Sequence, residues 1–230
     1  MFNKSQFLSA AAAIMIAGHA YAGTLVVAFD PGTTNTTTAL AGFATDGDMM
    51  DGMLITATFT DMSSETLAWA DIAAGSGGVS GTGWSLMAAG DTFSSNAWTL
   101  ANESAMAIQT IDLDGGPGDT IFDIDSPSPG TADSASGANF FVNSGGDPFD
   151  IVATYSDQVA ITGDAPVGDL WRRLSIDFTT TPFVPDSRLV FRADTDNTAL
   201  EDDLGEVPEP ASLAIFAAMG ITAIARRKRA

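Results

Sequence analysis

The sequence predicts an all-β protein, a single antiparallel β-sandwich or jelly-roll-like domain between an N-terminal signal peptide and a C-terminal hydrophobic helix. Short runs rich in β-branched and aromatic residues recur between clusters of Gly, Asp, Ser and Pro. Several of these runs alternate apolar and polar residues, as half-buried strands do. Outside the termini, no window keeps a helical period over three turns. A length of 230 residues suits one domain with a sizeable core.

The predicted strands follow one another at short intervals along the chain. In the run from Met53 to Thr60, Ile55, Ala57 and Phe59 share one face, so this run is a clear amphipathic strand. The full set is Thr24–Phe29, Met53–Thr60, Thr66–Asp71, Trp84–Ala88, Ala97–Leu100, Ala107–Leu113, Thr120–Ile124, Asn139–Val142, Ile151–Ser156, Leu170–Phe178 and Arg188–Ala193. Strands at such spacing are typical of a sandwich or jelly roll.

The chain divides into four segments on composition. Residues 1–22 are predicted to be a signal peptide, 23–194 the β-sandwich domain, 195–206 an acidic linker and 207–230 a sorting signal.

The first segment has the three parts of a secretory signal in order. Lys4 precedes an apolar run from Phe7 to Gly18, which is too short for a stable membrane anchor. Ala20 and Ala22 supply the small residues that signal peptidase requires, which predicts cleavage before Gly23.

The last segment combines a proline-rich motif, an apolar stretch and a basic end. Val207, Pro208, Glu209 and Pro210 precede the uncharged stretch 211–225. As a helix, that stretch reaches about 22 Å against a hydrocarbon layer of about 30 Å, so it is a short span of the inner membrane. The positive-inside rule then keeps the basic end in the cytoplasm. The basic end consists of Arg226, Arg227, Lys228 and Arg229.

The order of Pro-Glu-Pro, short apolar helix and Arg-rich end resembles the PEP-CTERM sorting signal of Gram-negative bacteria. The resemblance implies recognition by an exosortase, removal of the tail near Pro-Glu-Pro, and delivery to the cell surface or extracellular matrix. It also implies an association with exopolysaccharide and biofilm. Internal segments such as Trp171-Arg172-Arg173-Leu174 are similar to segments of PEP-CTERM proteins with uncharacterised exported domains, which bring no established activity.

The charge inventory excludes many functions. Nine basic residues stand against 29 acidic ones, and this balance excludes a non-specific nucleic-acid binder. Between Gly23 and Glu209, four arginines against all 29 acids leave a charge of −25. The chain has no Cys, and its only His and both of its lysines lie in the two end segments. A mature domain therefore lacks a Ser-His-Asp triad, His-bound zinc and a lysine Schiff base.

Calcium is the one cofactor that the sequence favours, because Asp and Asn at alternating positions can direct several hard oxygens towards one ion. The first candidate group is Asp194, Asp196 and Asn197, and the second is Asp112, Asp114 and Asp119. A third pair, Asp123 and Asp125, has the same spacing. None matches an EF-hand loop, and solvated turn residues that cap backbone amides are the alternative.

Two pairs of residues are candidates for contact with a polysaccharide. Trp84 and Trp171 could stack on sugars, and Arg172 and Arg173 could bind anionic groups through the guanidinium fork. The alternatives are core packing for the tryptophans and ordinary ion pairs for the arginines.

Three functions follow. The favoured one is a non-enzymatic surface or matrix protein that associates with exopolysaccharide, assisted by calcium. The second is a carboxylate-based glycan-active enzyme that pairs Glu65, Glu103, Glu201 or Glu206 with an aspartate. The third is an acidic surface passenger with no specific ligand.

Overall fold

A computed structural model of the chain describes residues 14–15, 23–42, 44–125, 130–131, 134, 137–146 and 149–198. These residues all belong to one compact unit, Met1–Ala199. Their strands are β1 (Ile14–Met15), β2 (Leu25–Asp30), β3 (Asn35–Thr37), β4 (Leu40–Gly42), β5 (Leu54–Phe59), β6 (Ser64–Ala68), β7 (Ala70–Ala73), β8 (Ser76–Ser80), β9 (Trp84–Ala89), β10 (Trp98–Asn102), β11 (Ile108–Asp114), β12 (Thr120–Asp123), β13 (Phe141–Ser144), β14 (Ile151–Ile161), β15 (Leu170–Phe178), β16 (Ser187–Arg192) and β17 (Thr195–Thr198). Two short 3-10 turns, Gly47–Met49 and Gly116–Gly118, lie between them.

The strands of the described residues form two sheets. The larger follows the order β1-β2-β14-β15-β11-β5-β6. A branch starts at β15, where β12 pairs with β15, β17 pairs with β12, and β4 pairs with β17. In addition, β3 pairs with β14. The smaller follows the order β13-β16-β10-β9-β8-β7. The prediction of purely antiparallel pairing is wrong, because β14 runs parallel to both β2 and β3. The long stretch of chain between β3 and β14 allows the crossover that parallel strands require.

One hydrophobic core lies between the two sheets. Ile55 and Ile176 enter it from the larger sheet, and Trp98, Leu100 and Phe191 enter it from the smaller, all with no exposed surface. The Trp98 ring stacks on Phe191 at a centroid distance of 5.8 Å. The all-β prediction is therefore confirmed, and the two-layer arrangement is consistent with a sandwich.

Strand alternation follows the sequence pattern where one sheet face is buried. In β5, Ile55, Ala57 and Phe59 are buried while the residues between them are partly exposed. The strand Leu170–Phe178 has the bounds that the sequence predicts. Apolar residues at every second position turn towards the opposite sheet, because burial of that face is the main favourable term.

The predicted linker does not begin at residue 195. Residues Thr195–Thr198 form β17, which pairs with β12 and with β4. Thr195 and Asp196 are buried, at 0% and 2% exposure. The sandwich therefore extends at least to Thr198, and the remaining linker, from residue 199 to 206, lies outside the described residues.

Candidate functional site

Three aspartates from the first and third predicted groups meet where β12 pairs with β17. Asp123 ends β12, and its backbone N–H donates to the carbonyl oxygen of Asp194 at 3.1 Å. Asp196 lies opposite Ile121 in the same ladder. Because side chains alternate along a strand, Asp123, Asp194 and Asp196 lie on the same face of this pair.

A fourth carboxylate, that of Asp169, joins them from the residue before β15. The backbone N–H of Ile124 donates to the Asp169 carbonyl oxygen at 3.0 Å, and the Asp169 carboxylate lies close enough to raise the pKa of both Asp123 and Asp196. These four residues, Asp123, Asp169, Asp194 and Asp196, are called the aspartate cluster below. Their exposures are 2%, 2%, 5% and 2%. Charged side chains are rarely so buried without a partner of opposite charge.

Hydroxyl groups and backbone amides provide the hydrogen bonds of the cluster. Ser134 Oγ donates to Asp123 Oδ2 at 2.8 Å and approaches Asp196 Oδ2 at 3.4 Å. Thr131 Oγ1 donates to Asp169 Oδ1 at 2.7 Å, and its backbone N–H donates to the other oxygen. These bonds position the carboxylates, but none of them neutralises charge.

The electrostatics of the cluster favour the protonated carboxyl groups. Burial, and then the neighbouring carboxylates, raise the pKa of Asp194 to about 8. Burial also raises the pKa of Asp123 to about 7 and that of Asp196 to about 6, each opposed by a hydrogen bond from Ser134. Within the described residues, no ion pair reaches the cluster. Full ionisation of the cluster near neutral pH is therefore unfavourable unless a cation compensates the charge.

The cluster is not a preformed metal site. In the part of the chain that the structure describes, no group of three or more acidic side chains converges closely enough to hold a metal ion. Hard oxygen ligands are nevertheless the kind that Ca²⁺ takes, and its coordination is flexible. Side-chain adjustment within the cluster would be needed to bring the carboxylates onto one ion.

Asn197 does not join its predicted partners. Its Oδ1 accepts from Thr45 Oγ1 at 2.9 Å, and its Nδ2 donates to the Met49 carbonyl oxygen at 2.7 Å. As the residue after Asp196 in a strand, it lies on the opposite face. Its role is to attach β17 to the segment before β5.

In the second predicted calcium group, the Asp114 carboxylate is already engaged. Asp114 accepts from Arg172 Nε at 2.9 Å and from Arg173 Nη2 at 2.8 Å, so its charge is already paired. Asp119 follows the Gly116–Gly118 turn in the left-handed region, at φ 48°, and Asp112 lies on β11. Asp114 also accepts from the Gly116 backbone N–H at 3.2 Å, so it caps a turn amide as the alternative expects, although it is ion-paired as well.

The same contacts answer the prediction for the two arginines. Arg173 also pairs with Asp157, whose Oδ2 lies 3.1 Å from its Nε. Both guanidinium groups therefore bind carboxylates of the domain itself, which is the default that the sequence left open.

The two candidate sugar-stacking tryptophans are buried, which does not fit a stacking surface. Trp84 and Trp171 are each 2% exposed. Trp84 Nε1 donates to Glu65 Oε2 at 2.6 Å, and the Trp171 ring lies 5.6 Å from the ring of Phe29. An apolar body of this size is most stable inside the sandwich, so the core-packing alternative describes both residues.

The Glu65 carboxylate, one of the acids considered for catalysis, is engaged in hydrogen bonds. It accepts from the Thr82 backbone N–H at 2.9 Å as well as from Trp84, and these bonds lower its pKa. Glu103 is exposed. Glu201 and Glu206 lie outside the described residues.

Most processing residues lie outside the described part of the chain. Gly23 is described, but the other predicted processing and membrane-stop residues are not: Ala20, Ala22, Val207, Pro208, Glu209, Pro210, Arg226, Arg227, Lys228 and Arg229. From the predicted signal peptide, only Ile14–Met15 is described, as a short strand paired with Val26 and Val27 of β2. Among the described residues, no helix has the length and apolar character to cross a membrane.

No protein-family model, curated protein or solved structure matches the chain. The resemblance to PEP-CTERM proteins therefore stays a prediction that depends on residues 207–230.

Proposed function

We propose that the chain is an exported, non-catalytic protein of the cell surface or extracellular matrix, whose jelly-roll-like β domain takes up calcium at the aspartate cluster. The observation that carries the proposal is the burial of four carboxylates without a basic partner among the described residues. A divalent cation would compensate a charge that the fold otherwise leaves uncompensated.

Sorting by an exosortase and association with exopolysaccharide belong to the same proposal. They are supported by the ordered motifs at the two ends, a signal-peptide pattern before Gly23 and Pro-Glu-Pro with an apolar stretch and a basic end after Val207. Calcium suits this setting, because it would hold a domain of very high negative charge in its folded state.

The proposal is tested by thermal unfolding of the purified full-length protein in mild detergent at pH 8. We expect millimolar CaCl₂ to raise the melting temperature by several degrees, since a ligand that binds only the folded state stabilises it. NaCl at matched ionic strength and MgCl₂ separate binding from charge screening, because Mg²⁺ is reluctant to lose its water and demands stricter geometry.

Matched variants locate the site. Asp194→Asn removes a buried charge, whereas Asp164→Asn makes the same change at an exposed turn position. We expect the calcium response to be lost only in the first variant. A response that is equal for Na⁺ and Ca²⁺, or one that survives Asp194→Asn unchanged, would refute a calcium site at the cluster.

A further inference from the structure

A second candidate site lies at the end of β16, beside the start of β13. It is a groove of about 330 Å³ whose lining includes Phe93, Asp125, Asn139, Phe141 and Arg192. We call it the arginine groove. Its volume is at the lower end of the range of roughly 300–1,000 Å³ that is usual for small-molecule sites.

Arg192 is a cation without a carboxylate partner in the described structure. Leu189 and Phe191 of β16 are fully buried, so Arg192 points away from the core. Among the residues that the structure describes, its buried Nε has no hydrogen-bond partner and no ion pair includes it. In a domain that is so rich in acids, an unpaired and partly desolvated guanidinium group is a binding element for an anion.

Two further groups line the groove beside Arg192. Asn139 Oδ1 is a buried acceptor without a hydrogen-bond partner among the described residues. Its position is fixed by the next residue, because the Phe140 backbone N–H donates to the hydroxyl oxygen of the buried Tyr155 at 2.8 Å. The Phe93 ring is 45% exposed and lies 5.9 Å from the guanidinium carbon of Arg192.

These groups together define one class of ligand. A guanidinium N–H binds a carboxylate, an amide oxygen accepts from a hydroxyl group, and a phenyl face packs on the apolar face of a ring. A carboxylated sugar carries all three features, whereas a neutral sugar leaves the cation unused. The exposed Asp125 at the rim adds a further acceptor for a hydroxyl group.

We propose that the arginine groove binds a uronic acid residue of an acidic polysaccharide. The inference deepens the function proposed above and rests on it, because it names the ligand of a matrix protein. It nevertheless depends on different residues from the aspartate cluster, so the two can fail separately. The domain's negative charge repels a polyanion at long range, and we therefore expect a short ligand at physiological salt to bind best.

The test is calorimetric titration of the purified full-length protein, in mild detergent, with trigalacturonate at about 150 mM NaCl, where the screening length is about 8 Å. Maltotriose serves as the neutral control, and EDTA removes calcium. We expect trigalacturonate to bind in EDTA, and to bind at least about tenfold more tightly than maltotriose. Only the carboxylated sugar can accept a charge-assisted hydrogen bond from the buried donor of Arg192. No binding, or equal binding of the two sugars, would overturn the proposal.

Variants test the groove itself. Arg192→Gln should weaken trigalacturonate binding by about tenfold or more, and Arg192→Lys should restore it only in part, because Lys keeps the charge but lacks the Nε–H. Arg188→Gln removes the same charge from the exposed face of the same strand and should leave binding unchanged. An equal loss in Arg188→Gln would overturn the site as a specific one.

Phe93→Ala gives a reading that does not depend on the integrity of β16, because the ring is nearly half exposed. We expect a severalfold loss of affinity at an unchanged melting temperature, and wild-type affinity would contradict the proposed stacking. Absence of binding together with a normal calcium response would remove the groove proposal alone. Binding in EDTA without any calcium response would remove the calcium proposal alone.

Discussion

An aspartate that leaves water holds its proton more tightly, and the cluster contains three such residues side by side. Burial is the largest cause for Asp123, Asp194 and Asp196, and their mutual repulsion adds to it for Asp123 and Asp194. In the unfolded chain each carboxyl returns to an ordinary pKa of 3.8. The folded state therefore binds more protons than the unfolded state over the interval between these values.

The sign of the resulting pH dependence follows directly. The stabilisation that protonation gives is fully present below about pH 4 and is lost as the pH rises through about 6, 7 and 8. In EDTA, we expect the free energy of unfolding to fall steadily from pH 5 to pH 8.5, measured by urea denaturation at each pH. Glu65 acts in the opposite direction, but only near its ordinary value of 4.5, so it does not affect this window.

Asp194→Asn isolates the contribution of one residue. An amide imitates the protonated acid, so the variant should be more stable than the wild type at pH 8 in EDTA, by about 1–3 kcal/mol. Its pH profile should also be flatter, whereas Asp164→Asn should follow the wild type. Parallel profiles for the wild type and Asp194→Asn would show that Asp194 keeps its proton no more tightly when folded.

At the scale of elements, the sequence predicts those strands that show an alternating apolar pattern of their own. It misses strands that form because of contacts with remote segments of the chain. The strand Leu170–Phe178 needs only its own apolar pattern to be recognised. By contrast, β8 contains two glycines and looks like a turn. A Cβ at Gly77 would overlap the carbonyl of Gly47 and the indole of Trp69, so the close approach of a remote segment requires glycine there. No local pattern contains that information.

The residues of the candidate site likewise include some that the local sequence predicts and some that depend on remote strand pairing. Spacing alone identifies Asp194 and Asp196, because they alternate within a few residues of each other. Asp169 has no such neighbour and reaches the cluster only because β12 pairs with both β15 and β17. Asn197 is a residue type that can bind calcium, but it directly follows Asp196 in the strand and therefore lies on the other face. The cluster is completed by residues from other strands, and the order of those strands in the sheet cannot be predicted from the sequence.

The extent of β17 gives a prediction at this scale. A fragment that ends at Asp194 lacks the ladder between β17 and β12, whereas one that ends at Ala199 keeps it. We expect the shorter fragment to unfold at a clearly lower temperature, because it also exposes Phe122 and Ile121, which are buried beside this strand. The measurement is thermal unfolding followed by circular dichroism, and equal melting temperatures would mean that the domain ends before β17.

At the scale of the whole molecule, positive charge is concentrated in the segments predicted to be removed. Five of the nine basic residues are Lys4 and the four in the basic end, Arg226 to Arg229. Of the four remaining arginines, Arg172 and Arg173 are bound to carboxylates of the domain. Removal of both ends, with the tail cut near Pro208, would also remove Glu209 and change the net charge from −20 to −24, with four arginines against 28 acids. The predicted processing would therefore make the protein more dependent on cations from its surroundings.

The predicted removal of both end segments is tested by intact-mass spectrometry of the protein recovered from the envelope and medium of an exosortase-bearing host. We expect a chain that begins at Gly23 and ends near Pro208. Glu209→Ala should accumulate protein with the tail attached, because it alters the motif that the protease is predicted to recognise. Glu206→Ala, the same change three residues earlier, should be processed like the wild type. Intact chains with both ends in the cytosol would contradict export, while cleavage at Gly23 with an uncut tail would leave an ordinary single-span anchor.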